Sequence, residues 1–592
     1  MEVKDRIHSL QKILAENNLD AYVVPSADPH QSEYVADEWK RRQFISGFSG
    51  SAGTFACTQS ESGLWTDSRY FLQAEKELLG SGASLFRQKQ PGVPEWYEWV
   101  ATNLPKHGRL GIDLNLFSID QYRQIQNYLQ NTEIEIVATE QNLVDQVWGK
   151  ERPSSPNQSI YEHPLEYAGE GLNNKLQRLR LAMQEIGARA MVLSALDEIA
   201  WLFNLRGKDV EYNPVFYAFA VVTNDDARIF INTAKVTTEI QEKLKGAVSF
   251  APYEDLLKHL GRLPAEDAIW LDPASNGAAV WQSLLDNSKT TIIATNPIAA
   301  WKAKKNEAEI AGMQAAHIRD GVAVVRFLKW LDEQVGKQEL NELNVAAKLY
   351  ELRSEAQEFH GESFSTIAGY GANGALPHYR ATEKSFSAIK AEGIFLCDSG
   401  GQYVDGTTDI TRTIACGEAS AWHKKVYTTV LKGHLQLARS QFPQGTTGYQ
   451  LDVLARQPIW QLGLDYGHGT GHGVGAALCV HEGPFSISPR QNMTCLEAGN
   501  VLSNEPGIYL DGEFGVRIEN LMVVTPAKNK ANFLAFQDLT LCPYDKRLID
   551  VALLSGEEVA QINTYHQQVY HRLSPLLQSD ELEYLQQATA AI

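Results

Sequence analysis

The sequence predicts a protein of mixed α/β and α+β class, in which two α/β domains of one plan precede a larger third domain. Three features support this prediction: a repeated helix-and-strand pattern, a Pro/Ser-rich segment between the two copies, and a periodic helical pattern that begins near residue 307. The expected domains are residues 1–155, 156–304 and 305–592. A chain of 592 residues has room for three or four domains of about 150 residues each.

The repeat is visible at two places in each copy. Residues 6–24 and 175–193 both have apolar residues at helical spacing, followed at once by an apolar strand. Further along, residues 63–78 and 227–244 each have the pattern of a strand that leads into a helix. Agreement at two places favours a duplication over a chance likeness between two amphipathic helices.

Composition places the two junctions between domains. The segment GKERPSSPNQSIYEHP at 149–164 is rich in Pro and Ser, which is typical of a linker. The second junction lies in NPIAAWKAKKNEAEI at 296–310, where a basic cluster precedes a helical pattern. That pattern starts at Glu307, Ile310 and Met313 and predicts a long helix that continues to about residue 334.

Charge and hydropathy exclude several classes of partner. The net charge of −19 and the isoelectric point near 5.3 argue against nucleic acid or an anionic membrane as a main partner. No apolar run reaches the roughly 18 residues that a membrane span needs. The first twenty residues mix both charge signs and lack the apolar region of a secretion signal. The six cysteines are scattered, which is typical of reduced thiols, so we expect a cytoplasmic protein.

Five residues of the C-terminal half have the chemistry of metal ligands. Four carboxylates and one imidazole form a hard, mostly oxygen ligand set, which carries too much negative charge to gather without cations. Such a set suits two divalent ions of the Mn, Zn or Co kind better than one structural zinc, which would recruit Cys and His. If the five converge, the protein is a metal-dependent hydrolase. They are Asp398, Asp409, His472, Glu505 and Glu519.

The two aspartates are expected on neighbouring strands. Asp398 follows the apolar stretch Ile394–Cys397, and Asp409 lies on the next predicted strand, after an Asp-Gly turn at 405–406. A hairpin of this length brings the two carboxylates close together. Without the other candidates, a pair of aspartates on a hairpin is weak evidence for a metal site.

The histidine candidates lie in a Gly-rich segment, DYGHGTGHGVG, at 465–475. His468 and His472 are four residues apart, but the glycines disfavour a helix, so we expect a loop or an irregular strand entry. His481 follows in the segment VHEGP. Glycines next to these histidines permit a close approach of the backbone to a ligand, which favours a functional interpretation over surface histidines.

The two glutamates lie in apolar surroundings. Glu505 ends an apolar strand before a Pro-Gly turn, and Glu519 is predicted in the middle of a strand, where a carboxylate is costly to bury unless it is paired or coordinated. Arg517 lies two residues earlier on the same predicted strand face and could donate a charge-assisted bond to a coordinating carboxylate. A structural Arg–Glu pair is an equally good interpretation of these two residues alone.

These segments together resemble a known motif set. DSGGQYVDGTTDITRT, HGTGHGVG, HEGP, NEPG and GVRIEN resemble the motifs of the pita-bread metallopeptidases. Among these, the chain resembles the three-domain cytosolic Xaa-Pro aminopeptidases (aminopeptidase P), through PSADPHQSEY, GFSGSAGT, DEIAWLFNLRG, VEYNPVF and YDKRLID as well. The resemblance spans essentially the whole chain. It implies two creatinase-like α/β domains followed by a pita-bread catalytic domain.

The resemblance also implies a role for each ligand. Asp398 would be a terminal ligand of one metal, His472 and Glu505 would be terminal ligands of the other, and Asp409 and Glu519 would bridge both. The cofactor would be two divalent ions, Mn²⁺ in first place, with Zn²⁺ and Co²⁺ as alternatives. A hydroxide between the ions would attack the carbonyl that precedes proline, and Glu505 would also act as general base and acid.

Further residues match substrate and supporting groups of that family. His378 and His481 match histidines that contact substrate and stabilise the developing oxyanion, so both are predicted to be catalytic. His468 matches a pocket histidine, and Tyr509 and Arg517 match groups that orient the ligands. The implied partners are peptides with proline in second position and a second copy of the chain in a homodimer.

Two alternatives remain open from the sequence. Prolidases share the five ligands but cleave Xaa-Pro dipeptides and typically have one N-terminal domain, so the duplication favours aminopeptidase P. Some pita-bread proteins are non-catalytic binding modules, but those have usually lost ligands and carry charged tails. All five ligands are present in this chain.

Overall fold

The computed structural model describes residues 1–592 and divides into two compact units. The first unit contains residues 1–163 and 170–298, and the second contains residues 164–169 and 299–592. None of the helices combines the length and the apolar character that a membrane span requires.

Two six-stranded sheets form the first unit. The strands of the first sheet are β1 Ala21–Pro25, β2 Thr54–Thr58, β3 Ser62–Thr66, β4 Ser84–Arg87, β5 Arg109–Ile112 and β6 Glu135–Ala138, in the order β4-β3-β2-β1-β5-β6. Those of the second are β7 Ala190–Leu193, β8 Ala218–Thr223, β9 Ala227–Ile231, β10 Ser249–Ala251, β11 Ile269–Leu271 and β12 Thr291–Ile293, in the order β10-β9-β8-β7-β11-β12.

The two sheets agree in strand order and in strand direction. In each sheet the first strand pairs antiparallel with the second and parallel with the fifth. The second and third strands are antiparallel, and both edge strands are parallel to their neighbours. This agreement confirms the predicted duplication.

Helices connect and cover these strands. The predicted helix before the first strand of each copy is present, and its apolar residues are buried: Ile7, Leu10 and Leu14 in one copy and Leu176, Leu179 and Met183 in the other. The helices up to the junction are α1 Val3–Glu16, α2 Arg41–Ser46, α3 Phe71–Glu77, α4 Trp96–Asn103, α5 Ile119–Leu129, α6 Leu143–Trp148, α7 Leu165–Ala168, α8 Leu172–Ile186, α9 Leu196–Leu202, α10 Thr238–Leu244, α11 Leu256–Arg262, α12 Ala278–Asp286 and α13 Ile298–Ala303.

The second unit begins with the long helix that the sequence predicts. This helix, α14, runs over Glu307–Gln334, and the side chain of Asn306 accepts hydrogen bonds from the amides of Ala308 and Glu309 at its start. The carboxylate of Glu309 accepts in return from the Asn306 amide, at 2.9 Å. The remaining helices are α15 Glu342–Ser354, α16 Ala421–Ala438, α17 Gly448–Gln461, α18 Gly556–Leu573 and α19 Ser579–Ala588.

The second unit contains two main sheets, each covered by helices. A three-stranded sheet, β14-β15-β18, packs against α14 and α15, and a six-stranded sheet, β19-β26-β25-β22-β20-β21, packs against α16 and α17. The strands are β13 Phe359–Glu362, β14 Ile367–Tyr370, β15 Ile394–Ser399, β16 Gly401–Tyr403, β17 Gly406–Thr407, β18 Ile410–Ala415, β19 Gln441–Pro443, β20 Gly471–Gly473, β21 Glu482–Ile487, β22 Val501–Asn504, β23 Gly507–Leu510, β24 Phe514–Arg517, β25 Asn520–Pro526 and β26 Phe533–Asp538.

Candidate metal centre

All five ligand candidates lie in a strand or next to one. Asp398 is the fifth residue of β15, and Asp409 directly precedes β18, which pairs antiparallel with β15. His472 is the middle residue of β20, a short strand, as expected for an irregular strand entry. Glu505 directly follows β22. The two main sheets therefore each deliver two of the candidates.

The fifth candidate, Glu519, differs from its prediction. It does not lie in the middle of a strand but at the break between β24 and β25, which belong to different sheets. Its backbone amide donates to the carbonyl of Thr411 at 3.1 Å. Ile518 and Leu521 are buried on either side, so the residue types are those of a continuous strand although the chain changes sheet there.

Three of the candidates converge most closely. One ligand atom from each of Asp409, His472 and Glu519 lies within 4.8 Å of the other two. The Nε2 atom of His472 is 3.5 Å from a carboxylate oxygen of Asp409 and 3.5 Å from one of Glu505. The other ring nitrogen, Nδ1, is 2.9 Å from the carbonyl oxygen of Gly473. An Nδ1–H bond to that carbonyl leaves the Nε2 lone pair free to coordinate a metal.

Arg517 connects the candidates, but not through the contact predicted from the sequence. Its guanidinium donates to Asp398 at 2.5 Å, to the hydroxyl of Tyr509 at 2.6 Å and to the hydroxyl of Thr411 at 3.2 Å. The Thr411 hydroxyl in turn donates to the carboxylate of Glu519 at 2.7 Å. Arg517 therefore reaches Glu519 only through Thr411, because the break at Glu519 removes the shared strand face.

Thr411 is a site residue that the sequence interpretation missed. It lies directly opposite Asp398 in the pairing of β15 with β18. In the strand predicted from the sequence, it lies two residues after Asp409 and so on the same face, which is the signal that could have found it.

The carboxylates of the group are buried with too few positive charges nearby to balance them. Asp398, Asp409 and Glu519 expose 7%, 4% and 1% of their surface. Burial raises the pKa of Asp398 to about 6, although Arg517 opposes the rise. Burial likewise raises the pKa of Glu505 to about 7, against the opposing effect of His472, and burial together with Asp409 raises the pKa of Glu519 well above its usual value. Burial alone would lower the pKa of His472, but Asp409 and Glu505 outweigh it and raise the pKa to about 9. The protein's own cations therefore do not balance this cluster.

The donor atoms fit divalent metal ions. The Oδ1 atom of Asp398 is buried and has no hydrogen-bond partner, although its other oxygen is held by Arg517. A buried carboxylate oxygen without a donor is costly unless a cation coordinates it. The remaining donors are carboxylate oxygens and one imidazole nitrogen, which are ligands of Mn, Zn and Co sites.

The other predicted residues surround this group. The ring of His481 lies edge-to-face against the ring of His472, with 4.4 Å between ring centroids. The Nε2 atom of His468 is 2.7 Å from the hydroxyl of Tyr509. His378 follows Pro377, whose carbonyl accepts from Arg517 at 3.2 Å. All three histidines are partly exposed, so they can meet a substrate.

Two buried charged groups anchor the histidine-bearing loops, and the sequence interpretation missed both. Arg456 of α17 pairs with Asp452 at 2.6 Å and donates to the backbone carbonyl of His468 at 2.6 Å. Glu342, which is fully buried at the start of α15, accepts from the amides of Tyr370 and Ser387 at 2.8 and 2.7 Å. An Asp-Arg pair four residues apart was a weak signal for the first anchor, and no local signal marks Glu342.

Sequence profiles identify the domains. The profile of metallopeptidase family M24 matches residues 311–526, and the C-terminal region of that family matches residues 532–592. Two profiles described as creatinase/prolidase N-terminal domain match residues 6–147 and 151–309.

Relatives match the chain over almost its whole length. Aminopeptidase P2 of Arabidopsis thaliana is 44% identical, over 97% of this chain and 86% of the relative. The probable Xaa-Pro aminopeptidase P of Laccaria bicolor is 43% identical, over 98% of this chain and 92% of the relative. The crystal structure of X-prolyl aminopeptidase from Caenorhabditis elegans, described as a cytosolic enzyme with a di-nuclear active site, covers 100% of both chains at 35% identity, with a TM-score of 0.96. With these relatives and these domains, the chain belongs to the aminopeptidase P family, whose catalytic domain is of metallopeptidase family M24.

Proposed function

We propose that the protein is a metal-dependent aminopeptidase that hydrolyses the bond between an N-terminal residue and a penultimate proline. The convergence of Asp409, His472 and Glu519, with Asp398 and Glu505 beside them, is the observation that carries the proposal. Prolidase is not favoured, because the chain has two creatinase-type N-terminal domains and matches aminopeptidases P over its whole length.

The centre takes two divalent ions, and we assign the ligands between them. Asp398 would hold one ion, His472 and Glu505 would hold the other, and Asp409 and Glu519 would serve both. The orphan oxygen of Asp398 and the position of Asp409 and Glu519 next to His472 support this division. When bound, such ions supply an activated water as nucleophile and polarise the scissile carbonyl.

The chain's own residues carry the protons and receive the developing charge. We assign Glu505, whose carboxylate accepts from the Ser503 hydroxyl at 3.2 Å, the role of taking the proton from water and passing it to the proline nitrogen. That nitrogen has no hydrogen in the peptide, so it must gain one to leave as an amine. We assign His378 and His481 the role of donating hydrogen bonds to the carbonyl oxygen as it becomes negative. His468, Tyr509 and Arg517 hold the ligands in place.

A peptide series tests the reaction and the metal together. Gently purified protein is analysed for its metals, stripped with a chelator, and reloaded with Mn²⁺, Zn²⁺ or Co²⁺ before assay of Ala-Pro-Pro, Ala-Pro and Ala-Ala-Pro. We expect rapid release of alanine from Ala-Pro-Pro, slow or no cleavage of Ala-Pro and Ala-Ala-Pro, and the highest activity with Mn²⁺. Cleavage of the dipeptide alone would instead identify a prolidase. Higher activity with Zn²⁺ or Co²⁺ would contradict only the choice of manganese.

We also propose finer features that the resemblance supports. The protein forms a homodimer. Sedimentation velocity at micromolar concentration tests this, and a species with the mass of one chain would contradict it. It acts in the cytoplasm, and cell fractionation is the corresponding test. The domains end near residues 155 and 304, so limited proteolysis should cut first near the Pro/Ser-rich linker at 149–164.

A further inference from the structure

The basic cluster at the second junction contains two lysines that are buried. Lys302 and Lys305 expose 2% and 4% of their surface, whereas Lys304 between them is exposed. Lysine is rarely buried unless its charge is paired. A cluster of this kind would ordinarily be a solvated stretch, so its burial requires an explanation.

Both buried lysines bind one carboxylate, that of Glu482. The ammonium of Lys302 is 2.6 Å from one oxygen of Glu482, and the ammonium of Lys305 contacts the other oxygen. The side chain of Glu482 is itself fully buried. Burial lowers the pKa of Lys305, while Glu482 opposes that effect. The contacts join positions 180 and 177 residues apart in the chain.

The backbone segment that carries the two lysines is held by hydrogen bonds to residues 499 and 500. The amide of Lys305 donates to the carbonyl of Gly499 at 2.9 Å, and the side chain of Asn500 donates to the carbonyl of Ala303 at 3.0 Å. These hydrogen bonds fix the backbone from which the two lysine side chains extend. A fixed backbone is what the lysines need to hold a partner in one position.

Glu482 directly follows His481 and begins β21. Its backbone pairs with Gly473 of β20, the residue after His472. A Cβ atom at Gly473 would lie only 2.4 Å from the carbonyl oxygen of Glu482, so the two backbones are in close contact. Fixing the Glu482 side chain thus fixes the point from which the His481 ring packs edge-to-face on His472.

We propose that Lys302 and Lys305 are positioning residues for the reaction. Each lysine binds one oxygen of the Glu482 carboxylate, and together they hold the neighbouring His481 in the position that catalysis requires. The inference rests on the proposed function, because His481 has its role in that reaction. Neither lysine is proposed to touch the substrate or a metal. A shift of about 1 Å in a catalytic group can lower a rate by about 100-fold, so a distant grip of this kind can matter to catalysis.

A double-mutant cycle tests the proposal with a matched control beside the two lysines. Lys302→Met is expected to lower kcat for Ala-Pro-Pro by about 10- to 100-fold, with metal content unchanged. Lys304→Met should stay within about twofold of the unaltered protein, because Lys304 lies exposed on Glu497. In a His481→Ala background, Lys302→Met should cause no further loss, because its effect passes through His481. A loss of the same size in both backgrounds, or none in the first, would overturn the proposal.

A structural readout separates this inference from the proposed function. In a crystal structure of Lys302→Met, the centroids of His472 and His481 should move apart from 4.4 Å, and in Lys304→Met they should not. If Lys302→Met does not fold, Lys302→Gln takes its place in the kinetic and crystallographic experiments. Glutamine keeps a hydrogen-bond donor but removes the charge. If the unaltered protein had no activity on Xaa-Pro peptides, the proposed aminopeptidase function would be refuted. The distance between the His472 and His481 rings would still test the positioning role of the lysines. An unchanged ring distance would refute the positioning role.

Discussion

Replacing Asp409 or Glu519 by alanine is expected to abolish hydrolysis, with a loss of about 10³-fold or more, because each is assigned to both metal ions. Both carboxylates lie in the group of ligand atoms within 4.8 Å of one another. Steady-state kinetics on Ala-Pro-Pro and metal analysis by mass spectrometry check this result. Glu513→Ala is the matched control, because Glu513 is exposed six residues before Glu519 in the same region of chain.

A glutamine at position 519 tests the same assignment by a measurement that does not depend on activity. In the metal-free protein, Glu519→Gln removes one of several buried carboxylates that repel each other, so its melting temperature should exceed that of the metal-free unaltered protein. Addition of Mn²⁺ should raise the melting temperature of the unaltered protein strongly and that of the variant little or not at all. Normal turnover by the alanine variants, or an undiminished metal content, would refute the bridging assignment.

Arg517→Met is expected to have the second largest effect, a loss of about 100-fold in kcat/KM. The guanidinium holds Asp398 and Tyr509 directly and supports Glu519 through Thr411, so one change disturbs three parts of the site. Its loss also leaves Asp398 buried without a protein cation, which should destabilise the metal-free protein by about 3–5 kcal/mol.

The design of this experiment includes a conservative variant and a control. Arg517→Lys should not restore activity, because one ammonium cannot replace a planar fork that donates to four groups. Arg439→Met should behave as the unaltered protein, because Arg439 is partly exposed and pairs with the exposed Glu557. Calorimetric metal titration, with kinetics and thermal unfolding, measures all three variants. Full activity of the lysine variant would show that charge alone suffices at this position.

The parts of this structure that follow from local pattern could be predicted from the sequence. Apolar spacing predicted both copies of the N-terminal helix and strand, and it predicted α14 over its full length. Among the proposed ligands, Glu519 was recognisable because a carboxylate between apolar neighbours needs a partner or a metal. The full set was recognisable only through the resemblance of its motifs to those of the pita-bread metallopeptidases. The break at Glu519 was missed, because a chain that passes from one sheet to the next keeps the same alternation of residue types.

The supporting charges could not be predicted, for a different physical reason. Glu342 and Lys302 are of residue types that usually lie at the surface, and their burial depends on partners distant in the chain. The ammonium of Lys302 meets a carboxylate 180 residues away, and no local pattern contains that information. The sequence thus predicts the groups that do the chemistry better than the groups that hold them.

The division of the proposed ligands between two sheets has a consequence for when the site can bind metal. Asp398 and Asp409 lie in one half of the catalytic unit and His472 and Glu505 in the other, and the contact of Arg517 with Asp398 spans 119 positions of chain. During synthesis, the first half is therefore complete long before it can acquire a full set of ligands. If these residues are the ligands, as proposed, a metal would find its full ligand set only after both halves have folded together, so metal content would report that the whole catalytic unit is folded.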